Sequence, residues 1–523
     1  MLNILATIYP ISFGICLLSL ILWFFFQGNK SLSRKLSASF LGAFFIYLFA
    51  LAFSPAALAP KLLILFRDLM VLGITTQFFN AFKNNKILFT GMVAALLVIF
   101  KVGYFNYMQE SYKQSTVWPS EFVQNNQAIG LDEDGELLIE VSENSQITAL
   151  SGILDKYDLS YEPAFANMAS PELTELDDYY VVNIPNKHIN KIDQIIEALN
   201  QSGFIDAVED NEVIKVDPIT AEKSEKNKKT YGINDPGIEN LWAFDKMNQD
   251  QLYNLIRNEN VKPTKKAVIA ILDTGVDSRH EDIKANYKSI SQKHDDDPHS
   301  HGTHCAGIAA SVSNNKKGIA SFSPDNGFVH VTSVKVLNKY GMGTQRTIIN
   351  GILKAADNGA SVISMSLGGP SDDRKQRAYF KAVNYANTKG AIVVVAAGNE
   401  SRNAIDRSPA NVEGVITVSA VDQNLDKASF SNEVHDLKMG IAAPGVNIYS
   451  TVPGNKYAFY NGTSMACPQV AGLVGILKSI NPDLETKEAY DILNATGIDT
   501  KAGNKTGQFI QPAAAVQAIL KSE

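Results

Sequence analysis

The 523-residue sequence contains few cysteines, no excess of basic residues and no H-E-x-x-H motif. Three cysteines give little information on the redox compartment. The 47 lysines and arginines are outnumbered by 54 aspartates and glutamates and form no basic patch, which argues against a nucleic-acid partner. Without H-E-x-x-H, the zinc chemistry of that helical motif is excluded.

Ionisable residues are also scarce in residues 1–105, where apolar and aromatic side chains dominate. The block holds no histidine, which argues against a serine–histidine site within a membrane. Asp68 is its only aspartate, which excludes a two-aspartate site. Arg67 and Asp68 would point in different directions on a helix. A charge within a membrane span is a candidate functional group, but we favour anchoring and helix packing as its role.

We predict four transmembrane helices in this block, because about 20 apolar residues are long enough to cross a bilayer. Basic residues concentrate in the first and third loops between these spans, as is typical of cytoplasmic loops. Everything after the fourth span is therefore expected outside the cytoplasm, in the periplasm or the cell exterior. No basic residue precedes the first span, so it is not a typical cleavable signal. The predicted spans are residues 4–26, 36–58, 62–79 and 87–104, and the basic loop residues are Lys30, Arg34, Lys35, Lys83 and Lys86.

A second region, residues 132–217, alternates between strand and helix patterns. The order β-α-β-β-α-β predicts a ferredoxin-like α+β fold. Residues 220–230 are rich in lysine and glutamate without apolar periodicity, which predicts an exposed linker. We divide the chain into a transmembrane region at 1–105, a linker at 106–131, the ferredoxin-like domain at 132–217, a linker at 218–230 and a C-terminal domain at 231–523.

The C-terminal domain contains four segments that carry chemistry. Asp273 and Asn399 each follow an apolar run of the kind that forms a strand buried on both faces. His301 opens an apolar helix, and Ser464 lies among small residues directly before a buried helix predicted over residues 466–480. Open α/β sheets place their sites at the carboxyl ends of the strands. We therefore expect these four side chains to meet at one edge of a mainly parallel sheet.

The four residue types suit acyl transfer by an activated hydroxyl. Ser464 would attack a carbonyl, and His301 would take its proton and return it to the leaving group. Asp273 would hold the imidazole in one tautomer and stabilise its charged form. The amide of Asn399 would donate to the oxyanion that develops on the carbonyl.

The motifs that carry these residues, D-T-G, H-G-T-H, A-A-G-N and G-T-S-M-A in this order, resemble those of the subtilisin-like serine proteases. The resemblance covers roughly residues 231–520. It implies a three-layer α/β fold with a mainly parallel sheet and an endopeptidase that needs no cofactor for catalysis. It also implies a polypeptide substrate, bound along a segment next to the oxyanion donor. The substrate-binding residues that it implies are Ser366, Leu367, Gly368, Gly369 and Gly398.

The resemblance extends by position and pattern to residues 132–217, which look like the inhibitory propeptide of that family. A propeptide would make the chain a precursor that processes itself, with the cut in linker 218–230. The protease would then have its own propeptide and a lipid membrane as partners. A spacer without inhibitory function is the alternative for this region.

Some positions leave alternatives open. Cys305 and Cys467 each lie about one turn beyond a predicted catalytic residue; we favour buried thiols, with a disulfide or sensitivity to mercurials as alternatives. For His304 we favour a hydrogen-bonded core position. Asp282 matches a common calcium ligand of the family, but lysines in the following loop, residues 313–318, oppose a second cation, and we assign no metal site.

Residues 295–299 include three aspartates and a histidine and could suggest a metal site, but their irregular spacing favours a solvated loop.

Two other classes of function remain as rivals. A protease fold retained as a binding scaffold would have no physical need for all of Asp273, His301, Asn399 and Ser464. A transporter or sensor in the membrane block is supported only by four short spans and one internal charge pair.

Overall fold

The computed structural model describes residues 2–26, 28–52, 65, 68, 72, 134–216, 219–221, 226–227, 229–371 and 376–522. The chain forms two compact units, Met1–Asn125 and Asn126–Glu523. Most of the predicted spans at 62–79 and 87–104, and the linker at 106–131, lie outside the described residues.

The first unit contains two described helices, α1 (Leu2–Phe25) and α2 (Lys30–Ala52). Within the described residues, Lys30–Phe49 is the one helical stretch long and apolar enough to cross a membrane, and Ile11–Phe24 is a shorter apolar stretch. The hydroxyl of Tyr47 donates to the buried carboxylate of Asp68 at 3.0 Å. A buried carboxylate needs such donors, so this contact gives Asp68 a packing role.

Residues 134–216 of the second unit form an antiparallel four-stranded sheet with strand order β2-β3-β1-β4. The elements follow one another as strand, helix, two strands, helix and strand. A short fifth strand, β5, follows the sheet and pairs elsewhere. Their bounds are β1 (Leu137–Val141), α3 (Ser151–Lys156), β2 (Ser160–Pro163), β3 (Tyr179–Asn183), α4 (Ile192–Gln201), β4 (Ile205–Asp210) and β5 (Val213–Lys215).

A six-stranded, wholly parallel sheet forms the centre of the remaining chain, with strand order β15-β14-β12-β10-β7-β8. This confirms the mainly parallel α/β sheet predicted from the apolar runs. The strands are β7 (Ala267–Asp273), β8 (Val329–Lys335), β10 (Val362–Met365), β12 (Ile392–Ala396), β14 (Val415–Val421) and β15 (Gly440–Pro444).

Helices cover both faces of this sheet. Alternate residues of one strand enter different hydrophobic cores: Ile269 and Ile271 face the core that includes helices α7 and α10, whereas Ala270 and Leu272 face the core with α8 and α9. Burial on both faces explains the unbroken apolar sequence of β7. The helices are α5 (Trp242–Lys246), α6 (Gln249–Asn258), α7 (His301–Ala310), α8 (Gln345–Asp357), α9 (Arg377–Thr388), α10 (Thr463–Ile480), α11 (Thr486–Thr496) and α12 (Pro512–Ser522).

Short strands border the carboxyl edge of the central sheet. The hairpin β16-β17 is extended by β6, and β5 pairs with β9. The predicted exposed linker therefore begins with a short strand, β6, which pairs with β17 about 240 residues further along the chain. The bounds are β6 (Ile219–Thr220), β9 (Met342–Thr344), β11 (Gly369–Pro370), β13 (Arg407–Ser408), β16 (Ile448–Val452) and β17 (Lys456–Asn461).

Candidate active site

Asp273 is the last residue of β7 and His301 is the first residue of α7, and the two side chains are in contact. Nδ1 of His301 lies 2.9 and 2.8 Å from the two carboxylate oxygens of Asp273, and both residues are buried. The backbone N–H of Thr274 also donates to Asp273 at 2.7 Å. Because an ionised carboxylate only accepts hydrogen bonds, Nδ1 of His301 carries the proton and Nε2 is left as the basic nitrogen.

Ser464 is the second residue of α10, in the first turn of that helix. Its hydroxyl donates to the carbonyl of Ser366 at 3.2 Å, and the hydroxyl of Ser366 donates to the carbonyl of Ser464 at 2.8 Å. These two bonds tie the start of α10 to the segment that follows β10. The first N–H groups of a helix have no partner within it, so Ser464 lies where backbone donors are available.

The amide nitrogen of Asn399 and the backbone nitrogen of Ser464 lie close to one common position. The side-chain oxygen of Asn399 accepts from the N–H and the hydroxyl of Thr463, each at 2.9 Å, which orients the amide Nδ2. A methyl group placed on Gly462 would lie 3.5 Å from Nδ2 of Asn399 and 3.5 Å from N of Ser464. Two N–H donors around one small space can stabilise an oxyanion.

The predicted substrate-binding segment lies beside this space. Ser366 and the buried Leu367 follow β10 directly, and Gly369 begins β11, which pairs with β13. A side chain on Gly368 would lie 3.0 Å from the carbonyl of Ser408, so the segment leaves no room for one there. The N–H of Gly398 donates at 3.1 Å to the Thr463 hydroxyl, the same hydroxyl that donates to the side chain of Asn399.

Comparison with known proteins agrees with this geometry. The sequence profile of the Subtilase family, Peptidase_S8, matches residues 264–511. The chain is 45% identical over 218 residues to thermitase of Thermoactinomyces vulgaris, covering 41% of this chain and 75% of that protein. It is 41% identical over 236 residues to subtilisin DY of Bacillus licheniformis, covering 44% and 82%. The chain belongs to the subtilase family.

It is therefore a subtilisin-like serine endopeptidase, and the family profile matches its C-terminal part. Among solved structures, proteases from Pseudoalteromonas arctica PAMC 21717 match with a TM-score of 0.48 and 28% identity, over 57% of this chain and all of that one.

Sequence reasoning missed one residue of this subtilase, Asp297, which was expected in a solvated loop. Its carboxylate is buried and accepts from the hydroxyl of Thr274 at 2.9 Å and from both N–H and hydroxyl of Thr303 at 2.8 and 2.7 Å. It also accepts from the N–H groups of His299 and Ser300, each at 2.9 Å. Asp297 thus joins the end of β7 to the first turn of α7. A carboxylate a few residues before a helix start was the available signal.

His304 has the core position that was expected. Its ring is fully buried, stacks on Tyr460 with centroids 4.3 Å apart, and its Nε2 lies 3.1 Å from the carbonyl of Ala458. Burial lowers the pKa of His304 to about 3, so the ring stays neutral.

Both cysteines of the subtilase domain are buried free thiols, as the favoured interpretation predicted. Cys305 donates to the carbonyl of Ser464 at 3.4 Å, and Cys467 donates to the carbonyl of Val394 at 3.4 Å. Burial raises the pKa of Cys467 to about 12 and that of Cys305 well above its usual value. Thiols that stay protonated are poor nucleophiles, so neither cysteine has the character of a catalytic nucleophile.

Structural calcium, which the family resemblance raised for Asp282, does not suit the groups around this carboxylate. Its two oxygens accept from Nδ2 of Asn315 and N–H of Ile319, each at 2.7 Å. Burial raises the pKa of Asp282 to about 7, which disfavours the anion that calcium requires. Lys317 adds a positive charge nearby through its 2.8 Å ion pair with Glu281. These donors do not fit a divalent cation.

Proposed function

We propose that this subtilase hydrolyses polypeptides with Ser464 as nucleophile, His301 as general base and Asp273 as its orienting carboxylate. The observation that carries the proposal is that Asn399 Nδ2 and Ser464 N lie at equal distance from one position beside the serine. An oxyanion formed when Ser464 attacks a carbonyl would accept from both donors. The substrate backbone would lie along residues 366–369.

The proton path follows from the buried pair. Since Nδ1 of His301 is bonded to Asp273, Nε2 would accept the proton of the Ser464 hydroxyl as the oxygen bonds to the substrate carbonyl carbon. The same nitrogen would return the proton to the leaving amine when the peptide C–N bond breaks. Water would then hydrolyse the ester by the reverse sequence and regenerate Ser464.

A fluorophosphonate probe tests the assignment of the nucleophile. We expect the full chain in membranes to be labelled, Ser464→Ala to be unlabelled and inactive on peptides, and Ser160→Ala to be labelled like the wild type. Ser160 is an exposed serine in β2 and serves as the matched control. Labelling of Ser464→Ala would show that another residue is the nucleophile.

We further propose that residues 132–217 inhibit the protease in a precursor. Contacts with two helix starts of the protease support this. Glu209 accepts from Nε2 of Gln345 at 2.9 Å and from N–H of Ala378 at 3.0 Å, and Asn211 accepts from N–H of Arg346 at 2.9 Å. Unpaired N–H groups at helix starts favour such acceptors.

The second contact is ionic. Glu140, buried in β1, pairs with Arg377 and Lys381 of α9, each at 2.7 Å. Cleavage in linker 218–230 would free the protease from this domain, and mapping the new N-terminus in wild type against Ser464→Ala tests processing. A wild type that stays uncut at every protein concentration would contradict it.

The location that we propose is a multi-pass membrane protein whose protease domain lies outside the cytoplasm. The support is the apolar N-terminal block, in which basic residues cluster between the predicted spans. Lys30, Arg34 and Lys35, which were predicted in the first loop, lie in the first two turns of α2 instead, at one end of the apolar stretch Lys30–Phe49. External protease added to intact cells or spheroplasts should digest the C-terminal domain. Digestion that requires lysis of the inner membrane would contradict this orientation.

A further inference from the structure

A cavity of about 680 Å³ lies where the 132–217 domain meets the protease. The domain contributes Pro163, Ala164 and Asn167 to its walls, and the protease contributes residues from β8, from α8 and from the turn before α7. None of the residues placed in the active site above lines it. Small-molecule sites typically measure ~300–1,000 Å³, so this cavity is large enough for a ligand of its own.

The cavity is rich in basic side chains. They are Lys293, Lys335, Arg346 and Lys354. Lys335 forms an ion pair with Asp296 at 2.7 Å. Arg346 forms an ion pair with Glu162 at the same distance of 2.7 Å. Two of the four basic groups are therefore neutralised by carboxylates of the protein.

The other two, Lys293 and Lys354, have no carboxylate partner within the part of the chain that the structure describes. Burial and the charge of Lys293 lower the pKa of Lys354. This direction means that the two ammonium groups repel each other. A bound anion would remove that repulsion.

Two acidic side chains also line the cavity, and both are bonded to other groups. Asp357 pairs with Lys389 at 3.1 Å and accepts from the N–H of Ala169 at 3.0 Å. Asp134 accepts from the hydroxyl of Thr344 at 3.2 Å. The charge of the two unpaired lysines is therefore left for a ligand to neutralise.

His294 lines the same cavity and supplies a hydrogen-bond donor. Its ring is buried, and Nδ1 accepts from the backbone N–H of Lys335 at 3.0 Å. Burial and the nearby lysines lower the pKa of His294 to about 4, so the ring is neutral and its one proton is on Nε2. Nε2 is buried and has no hydrogen-bond partner among the described residues. Buried donors without an acceptor are rare in native structures, and an anion would supply the acceptor.

We propose that this cavity binds the phosphate group of a small phosphate monoester, held by Lys293, Lys354 and the Nε2–H of His294. Such a group carries about −1.5 to −2 charges at pH 7 and has three acceptor oxygens. Two lysines and one neutral donor match that charge and that number of acceptors. Val334 and Val336 form an apolar part of the wall, which suits the organic part of the ester.

The ligand also acts on the 132–217 domain, a consequence that rests on the proposed inhibition. The cavity is complete only while the walls from the domain and from the protease are together. A ligand that binds the assembled form more tightly shifts the equilibrium towards that form. The phosphate ester therefore holds the domain on the protease and keeps the precursor inhibited.

Calorimetry with phenyl phosphate tests the site, using the full Ser464→Ala chain in phosphatidylcholine nanodiscs so that no cleavage occurs. We expect one saturable site. Its Kd should rise about tenfold or more in Lys293→Met and in Lys354→Met, and further in the double variant, because a hydrogen bond to a charged group contributes at least this much. Since Lys293 is exposed, Lys293→Met keeps the test valid if Lys354→Met fails to fold.

Lys288→Met is the matched control for the loss of one positive charge. Lys288 is an exposed lysine five residues before Lys293 and does not line the cavity. Its Kd should stay within about twofold of the parent value, because exposed charges at a distance contribute little. Absence of a saturable site, or a double variant that binds like the parent chain, would overturn the inference.

Two further ligands define the chemistry. Inorganic phosphate should bind more weakly than phenyl phosphate, since it leaves the apolar wall uncovered, and equal affinity would overturn the assignment of an ester. Phosphatidic acid in the nanodiscs should block phenyl phosphate if the natural ligand is a lipid headgroup. Unchanged binding of phenyl phosphate would identify a soluble ester instead, and either result supports the site.

Amide hydrogen exchange of the same Ser464→Ala chain tests the effect on the 132–217 domain. Bound phenyl phosphate should slow exchange throughout residues 134–216, because the ligand opposes separation of the domain from the protease. Slower exchange confined to the protease side of the cavity would overturn this part of the inference. Neither measurement uses catalysis, so a failure of the proposed function, which the fluorophosphonate probe detects, is distinguishable from a failure of the inference.

Discussion

Gly462 offers a direct test of the oxyanion space, because a single methyl group would occupy it. In Gly462→Ala the added carbon lies 3.5 Å from both Asn399 Nδ2 and Ser464 N, which is van der Waals contact with the two donors. The substrate oxygen could then approach neither donor at hydrogen-bonding distance. Removing one such donor costs ~10²–10³ in kcat, a value known from subtilisin itself. We expect a loss of at least this size for the variant.

The backbone at Gly462 adds a second effect that must be separated from the first. Its φ of 149° and ψ of 157° lie in a region that is almost restricted to glycine. Alanine there costs on the order of 1–3 kcal/mol of stability. Gly454→Ala is the matched control, because Gly454 also has a positive φ, 81°, but has nothing within 4 Å of an added methyl.

The assay is the kcat of the processed enzyme on a peptide substrate, at a temperature well below the Tm of both variants. Both should show a lowered Tm, since both hold alanine at positive φ. Only Gly462→Ala should lose turnover, with KM changed far less than kcat, because the oxyanion forms after binding. A folded Gly462→Ala enzyme with kcat within about threefold of wild type would refute the placement of the oxyanion.

Two further predictions concern buried ionisable groups. Burial raises the pKa of Glu209 to about 7 even though Gln345 and Ala378 donate to it, so the carboxyl is more readily protonated in the complex than in a free 132–217 domain. The contribution of Glu209 to association is thus fully present below the ordinary carboxyl pKa and is lost as pH rises through about 7. The affinity of a separately added 132–217 domain for the protease should therefore weaken over this range. Glu209→Gln should make that affinity less dependent on pH. The second group is Cys305, whose sulfur lies within 4.8 Å of the side-chain ligand atoms of Asp273 and His301. An organomercurial that binds Cys305 should therefore displace His301 and abolish peptidase activity, whereas Cys305→Val should keep its activity. Equal inhibition of the wild type and the variant would show that the mercurial acts at another residue.

The parts of the site that could be predicted lie at ends of regular elements. The apolar run before Asp273 indicated a buried strand, and β7 covers the same residues and ends at the aspartate. The helix after Ser464 was predicted to begin at residue 466, but α10 begins at Thr463. The difference arises because the chain changes direction at Gly462, directly after β17, through its unusual φ. The small residues Thr463 and Ser464 then form the first turn of α10.

Contacts between distant segments could not be predicted. The pattern predicted for residues 132–217 ends in a single strand, yet β5 follows β4 as a separate strand and pairs with β9, almost 130 residues away. A local pattern of apolar residues does not indicate which distant strand a segment pairs with. Asp297 was missed for the same reason, since its donors Thr274 and Thr303 belong to different elements.

The shared hydrogen bonds of Asp297 divide the loop before α7 into two parts with different tolerance to change. The side chain of Asp296, one residue earlier, is exposed and forms a surface ion pair with Lys335. From Asp297 onwards, a length change would pull Thr274 and Thr303 apart, and with them the ends of β7 and α7. The side chain at position 296 could therefore differ between subtilases, whereas the spacing from 297 to 303 should be kept when loops are exchanged.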